Sequence, residues 1–422
     1  MAYLRSPILL LALVPFANAQ FCPAPPESFP TSAVPFGLTL FNADGDLDLD
    51  VATANDAADS VSVLRYLGDG SFSPPQTWPA GNEPTGVVAA DVELDGDVDL
   101  IVVNHASNNI AVLLNDGSGQ FAAPTFYAAG SAAIAIAAGL LDNDAYPDVV
   151  AANIGSDSIS VFLNLGDGTF AGQQVYAAGD GPIAVVVGDV SGDGHVDVVT
   201  ANLGAQNITV LLNNGNGIFT GSLGYATGAA PFDVTLADLD GDGDLDAVTA
   251  DAIVDRVSIL LNTGVGAFAG PMLVNSGNAA FSVTTCDLDQ DGDPDVVTAD
   301  LLPNGTVTVH LNNGNGTLSP PITFSGGQEP SDVACGDIEG DGDSDIVSVY
   351  NGGIRVIFNQ TLAGDLNCDG DVDLPDYLGF SLCLSGPVVE PPPMCGAADL
   401  DADGRVDLID TALFQNVFSG PF

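Results

Sequence analysis

Short apolar runs, each bounded by glycine- and aspartate-rich turns, recur through most of the chain. Residues 85–130 show one full set: GVVAAD, an acidic loop, DLIVVN, a turn, NIAVLLN, the Gly-rich turn DGSGQF, and PTFYAAG. Runs this short, rich in β-branched residues and closed by turn signals, predict four strands of one antiparallel sheet.

The set recurs in phase. The aspartate that opens the second run falls at Asp50, Asp99, Asp148, Asp197, Asp246, Asp295 and Asp345, at intervals of 49 residues with a last interval of 50. Seven copies of a four-stranded unit at this period predict a mainly β fold, a seven-bladed β-propeller, over residues 20–362. The seventh copy has its third run (354–359) but no fourth, while an unpaired segment at 27–32 aligns with the fourth-strand position. That segment is expected to complete blade seven and close the ring.

Between the first and second runs lies an acidic loop. In copy five, DLDGDGDLD puts Asp238, Asp240, Asp242 and Asp246 at positions 1, 3, 5 and 9, with Gly243 at position 6. Alternating carboxylates around a sharp glycine turn, with a backbone carbonyl expected at position 7, suit calcium, a hard cation that takes oxygen ligands. Position 12, where an EF-hand needs a bidentate acid, is Thr249, inside the next run.

The corresponding candidate ligands are Asn42, Asp44, Asp46 and Asp50 in copy one, Asp91, Glu93, Asp95 and Asp99 in copy two, and Asp189, Ser191, Asp193 and Asp197 in copy four. Copy six offers Asp287, Asp289, Asp291 and Asp295, and copy seven Asp337, Glu339, Asp341 and Asp345. Copy one has Leu47 where glycine belongs. Copy three offers only Asp142, Asp144 and Asp148, with Leu140 at position 1 and Ala145 at position 6, and is expected to be weakest or empty. Up to seven calcium ions are expected in the propeller.

These D-x-[DN]-x-D-G-x-x-D loops, each followed by an apolar strand, and turns such as LLNNGNGIF (211–219) resemble FG-GAP or VCBS repeats, a family similar to the propeller of integrin α chains. The resemblance implies a calcium-pinned propeller of the kind used for extracellular recognition, and no particular ligand.

After Thr361 the period breaks, and two loops follow 34 residues apart: Asp365, Asn367, Asp369, Gly370, Asp373, Asp376, then Asp399, Asp401, Asp403, Gly404, Asp407, Asp410. Both carry the acid at position 12, and each precedes a segment with helical apolar spacing, Phe380 and Leu384 in one, Phe414 and Phe418 in the other. A duplicated calcium loop plus helix resembles a type I dockerin over residues 363–422. The resemblance implies a small α-helical, EF-hand-type domain holding two more calcium ions and docking to a cohesin-like scaffold. Leu374-Pro375 and Leu408-Ile409 stand where dockerins commonly have small polar residues. The fold and the calcium therefore carry over more directly than cohesin binding does.

Residues 1–19, with Arg5, an apolar core and an Ala17-Asn18-Ala19 ending, read as a secretory signal, which predicts a secreted or cell-surface protein. No later stretch has the roughly 20 apolar residues of a membrane helix, so no transmembrane anchor is expected. Hydrophobic residues make up 46% of the chain, which supports a packed core despite a net charge of −51. Forty of the 56 acidic residues fall in the nine loops, so the charge is mainly that of the candidate metal sites. Five arginines and no lysine leave little to neutralise phosphates, which excludes nucleic acid as a partner and disfavours anionic lipid.

Six cysteines in an exported chain suit disulfides. Cys383 and Cys395 flank a Pro-rich connection and form the best pair, and Cys22 with Cys368 a second, at chain ends expected to meet near blade seven. Cys286 and Cys335 precede the loops of neighbouring blades one position out of step, on opposite faces of their strands. A bridge and two buried thiols are both open there.

His105, His195 and His310 share no spacing, and no G-x-S-x-G, H-E-x-x-H or P-loop motif occurs. Trp78 and the Asn-Gly turns offer a sugar-binding rim, although Asn-Gly also simply supplies the positive φ of tight turns. The reading is a non-catalytic, calcium-binding recognition or adhesion protein whose propeller binds a glycan or protein and whose C-terminal module docks it. The alternative is a polysaccharide-degrading lyase or glycosidase on a propeller scaffold, for which paired carboxylates are available but basic residues are scarce.

Overall fold

The computed structural model describes residues 21–31, 34–301 and 305–360. The signal expected at 1–19 and the dockerin-like module expected at 363–422, with its candidate ligands Asp365 to Asp410, lie outside the described residues. No helix among the described residues is long and apolar enough to cross a membrane.

Seven four-stranded antiparallel sheets follow one another along the chain. Blade five shows the plan: Pro231–Ala237, Asp246–Asp251, Arg256–Leu260 and Met272–Asn275, paired in that order. Blade seven takes Asp332–Gly336, Asp345–Tyr350 and Gly353–Ile357 from the end of the repeats and its fourth strand, Glu27–Pro30, from the beginning. Phe29 lies opposite Ile354 in that pair, so the segment expected to close the ring does so. First strands neighbour first strands all the way round, blade seven meeting blade one.

Burial explains the composition of each strand. Second strands such as Asp99–Asn104 and Asp246–Asp251 are buried along their whole length, because each blade is covered on both faces by its neighbours. They therefore read as unbroken runs of small and β-branched residues instead of alternating ones. Fourth strands such as Thr125–Ala128 lie at the rim and are largely exposed.

The core is a series of layers between blades. Within Asp197–Asn202, Val198 packs towards blade three, while Val199 and Ala201 pack towards blade five, where Ala247 faces them. Opposite faces of adjacent blades thus form each layer, as the two-residue period of a strand dictates.

The same geometry settles Cys286 and Cys335. They are disulfide-bonded, with Cα atoms 6.3 Å apart on the first strands of blades six and seven. Being one position out of step favours the bridge, because the face of blade six that meets blade seven is the opposite face of the repeat. Cys22 is also disulfide-bonded; its expected partner, Cys368, and the expected pair Cys383 and Cys395 lie outside the described residues.

Trp78 is a packing residue. Its ring meets Phe121 of the next blade edge-on at 5.0 Å, and Tyr127–Phe170, Tyr176–Phe219 and Tyr225–Phe268 repeat the contact around the ring. Each pair clamps a fourth strand to the following blade's turn.

The propeller is one compact unit, Ala24–Leu288 with Asp293–Asn359. The remaining described residues, among them Asp289–Gly292, belong to a second unit, in which the Gln360 N–H donates to the Cys22 carbonyl at 2.9 Å.

Candidate functional site

The acidic loops sit where the first strand of each blade turns into the second. Left-handed backbone makes the turn: in blade five Gly241 has φ +73° and Gly243 φ +94°, and no Cβ is carried at either position. Amides at these positions then point inward onto the position 1 carboxylate. Asp238 accepts from the Gly241 and Gly243 N–H groups, both at 2.9 Å. Asp91, Asp189 and Asp337 accept from the amides of their own loops in the same way.

Position 5 is held similarly. Asp242 accepts the Asp244 N–H at 3.0 Å, and Asp46, Asp95, Asp193 and Asp341 each accept the amide two residues on. Position 3 differs. Oδ1 of Asp240 and of Asp44 is buried and has no hydrogen-bond partner. In blade five, Asp238, Asp240 and Asp242 each present an oxygen within 4.8 Å of the others. Burial first, then the Asp242 charge, pushes the Asp240 carboxyl above its ordinary range. A buried carboxylate oxygen with no donor, between two like charges, fits a divalent cation with oxygen ligands.

The position 9 aspartates have turned inward. Asp246 is fully buried, with Oδ2 accepting the Leu239 N–H at 3.0 Å and Oδ1 the Asn262 N–H at 2.7 Å. Asp50, Asp99, Asp148, Asp295 and Asp345 repeat the arrangement, and Asp197 accepts the Asn213 and Ser191 amides. Each therefore ties the loop to the end of its blade's third strand, whatever second lone pair it offers a metal. Burial raises the carboxyls of Asp50, Asp99, Asp148 and Asp246 to about 6 and that of Asp345 to about 7.

The amide donors on the third strand were not singled out as site residues from sequence. Besides its N–H bond to Asp246, Asn262 donates Nδ2 to the Val190 carbonyl in the loop of the preceding blade, at 2.7 Å. Asn115, Asn164, Asn213, Asn312 and Asn359 make the same cross-blade bond to Ala43, Val92, Leu141, Leu239 and Leu288. Read as turn formers in the LLNNGNG motif, these asparagines in fact lock the loops of blades one to six from the neighbouring blade. Their recurrence at the repeat period was the available signal. In blade one Tyr66 stands in this place and reaches Glu339 of blade seven with its hydroxyl at 3.4 Å.

The loops of the copies differ in backbone and hydrogen bonding. In copy three neither Asn143 nor Ala145 has positive φ; Asp142 accepts the Asp144 N–H and Asp144 the Tyr146 N–H, and Leu140 at position 1 faces solvent. In copy one Asn42 accepts the Gly45 N–H at 2.7 Å, Arg65 reaches Asp44 at 3.3 Å, and Leu47 is exposed. In copy six Asp287 and Asp295 belong to the propeller, whereas Asp289 and Asp291 belong to the second unit.

The histidines are not brought together. His310 is buried in blade six, its Nδ1 3.1 Å from the Ser319 carbonyl and its pKa lowered by burial. His195 is at position 7 of the blade four loop and His105 follows a second strand in blade two.

A family model described as FG-GAP-like repeat matches residues 41–102, 91–151, 141–200, 189–249 and 287–348. No curated protein matches the chain significantly. Among solved structures, the BP39L lectin from Burkholderia pseudomallei is similar at 16% identity and TM-score 0.62, covering 78% of this chain and 96% of its own. A virginiamycin B lyase from Staphylococcus aureus with quinupristin is similar at 12% identity and TM-score 0.55, covering 80% of this chain and 99% of its own. A structure of BBS1N in complex with ARL6DN is similar at 12% identity and TM-score 0.59, covering 81% and 98%. Likeness at these identities is likeness of fold.

Proposed function

Since the chain belongs to the FG-GAP-like repeat family, we propose that it is an exported, calcium-binding, non-catalytic recognition protein, its propeller presenting a rigid surface to a glycan or protein. The observation that carries the reading is the unpartnered, buried Oδ1 of Asp240 between Asp238 and Asp242, in a loop whose amides already hold the flanking carboxylates. Asp238, Asp240 and Asp242 would hold the ion, with Asp246 beneath them. Bound there, calcium supplies positive charge that relieves carboxylate repulsion and stabilises the native state by mass action. The chain's own residues keep the loop in place without it: the position 9 aspartate from the same blade, the asparagine from the next.

Separation of the histidines and commitment of most carboxylates to these loops support recognition over catalysis. The C-terminal residues 363–422, with their own calcium loops, would dock the propeller to a surface or a cohesin-like scaffold. The test is capture by the full-length protein from a glycan panel and from secreted and surface proteins, with calcium and then with chelator. Calcium-dependent capture without turnover supports the reading. Release of sugar fragments from a polysaccharide would make the protein an enzyme and overturn it.

A further inference from the structure

The pseudo-symmetry of the propeller breaks at its axis. Counting four residues back from the partner of each position 9 aspartate places Gly37, Gly86, Ala135 and Ala184 in blades one to four level with Asp233, Ser282 and Asp332 in blades five to seven. One side of the ring is therefore small and apolar, the other acidic. All of them but Ser282 line an axial cavity of about 270 Å³.

One position further out, the Phe232 and Phe281 rings meet at 4.9 Å, tilted by 37°, and Phe36 meets Phe281 edge-on at 6.1 Å. All three rings line the same cavity and stand beside the acidic arc. Asp233 accepts the Val283 N–H at 3.0 Å and the Val234 N–H at 2.8 Å; Asp332 accepts the Leu38 N–H at 2.8 Å and the Val333 N–H at 2.9 Å. Between them, Ser282 Oγ lies 2.9 Å from Asp233 Oδ2 and 2.8 Å from Asp332 Oδ1. A hydroxyl has one proton, so it satisfies one of the two carboxylates at a time. No Lys, Arg or His lines the cavity.

The ionised forms of Asp233 and Asp332 have no basic partner in the cavity, and a cation entering it supplies the counter-charge. We propose that the axial cavity binds a small methylated ammonium ion, its charge against Asp233 and Asp332 and its methyl groups against Phe36, Phe232 and Phe281. Aromatic faces beside carboxylates are the environment that such poorly hydrated cations prefer. A divalent metal ion is a worse match, since Gly37, Gly86, Ala135 and Ala184 offer no side-chain oxygen from the opposite wall. The net charge of −51 raises the local concentration of any cation around the mouth. The site is separate from the acidic loops: Asp233 precedes Asp238 by five residues of chain, mostly strand, roughly 15 Å.

The test is titration of the calcium-saturated full-length protein with tetramethylammonium chloride, and separately with tert-butanol as a neutral probe of similar shape, followed by calorimetry and by aromatic proton shifts. Saturable ammonium binding is expected, about tenfold weaker for tert-butanol and for the Asp233→Asn, Asp332→Asn double variant. Phe281→Ala is also expected to weaken it, which keeps the test decisive if the double variant does not fold. Asp116→Asn, at an exposed turn outside the cavity, should leave it unchanged. Absence of saturable binding, equal binding of tert-butanol, or undiminished binding by the folded double variant or by Phe281→Ala would each overturn the proposal.

Discussion

Asn262 donates its backbone N–H to the buried carboxylate of Asp246 at 2.7 Å, while its side chain holds the Val190 carbonyl of the preceding blade. One residue thus ties a blade's own loop to its third strand and the ring to itself. Asp246→Asn keeps the shape but turns an amide donor towards a backbone N–H in a fully buried place. The variant is expected to lose about 2–3 kcal/mol in denaturant unfolding. A loss within about 0.5 kcal/mol, the range of an unconstrained surface site, would show that Asp246 is not a structural tie.

The fold was legible because its signals repeat. Asp50 to Asp345 in phase gave the blade count, and the missing fourth run after Ile357 gave the closing strand, since both depend only on order along the chain. What stayed hidden depends on contacts between copies. The role of Asn262 lies in a carbonyl of another blade, the bridge between Cys286 and Cys335 in which faces of adjacent blades meet, and the acidic arc of Asp233 and Asp332 in a departure of three copies from the other four. Position 9 was legible as an acid but not as an inward-facing one, because the periodicity of a loop does not say which side chains its amides will claim.

Stability in chelator should fall as pH rises. Burial pushes Asp233 to about 7 and Asp332, Asp251 and Asp300 to about 6, from an ordinary 3.8. Between about pH 4 and 7 the folded chain therefore holds protons that the unfolded chain has released, and the stabilisation present at low pH is lost through that window. The melting temperature, with chelator throughout, should be higher at pH 5 than at pH 8; the opposite slope would contradict these burials. Asn55, Asn104, Asn153 and Asn202 occupy the place of Asp251 in other blades, and Asn55 Nδ2 donates to Ser62 Oγ at 2.8 Å where Ser258 Oγ instead donates to Asp251. Asp251→Asn should accordingly gain about 1 kcal/mol near pH 8 and flatten the profile.

The bridge between Cys286 and Cys335 closes a separation of 49 residues across two blades. Replacing both with serine is expected to cost about 3 kcal/mol, read as a lower denaturation midpoint. Peptide mapping without reduction should recover the two cysteines in one linked fragment, and finding both as thiols would refute the pairing.

Removing residues 20–32 takes away Glu27–Pro30, with Phe29 lost from its edge-on contact with Phe72 at 5.0 Å. Gly353–Ile357 would then become an open sheet edge. The truncated protein should melt at a sharply lower temperature and associate with rising concentration. An unchanged melting temperature would mean that the ring does not depend on this strand.

The most direct measurement is a calorimetric calcium titration of the full-length protein, alongside Asp240→Asn. The account predicts that several ions bind, that the variant binds one fewer with its fold intact, and that chelator lowers the melting temperature of the wild-type chain. No calcium uptake, with a melting temperature indifferent to chelator, would contradict it.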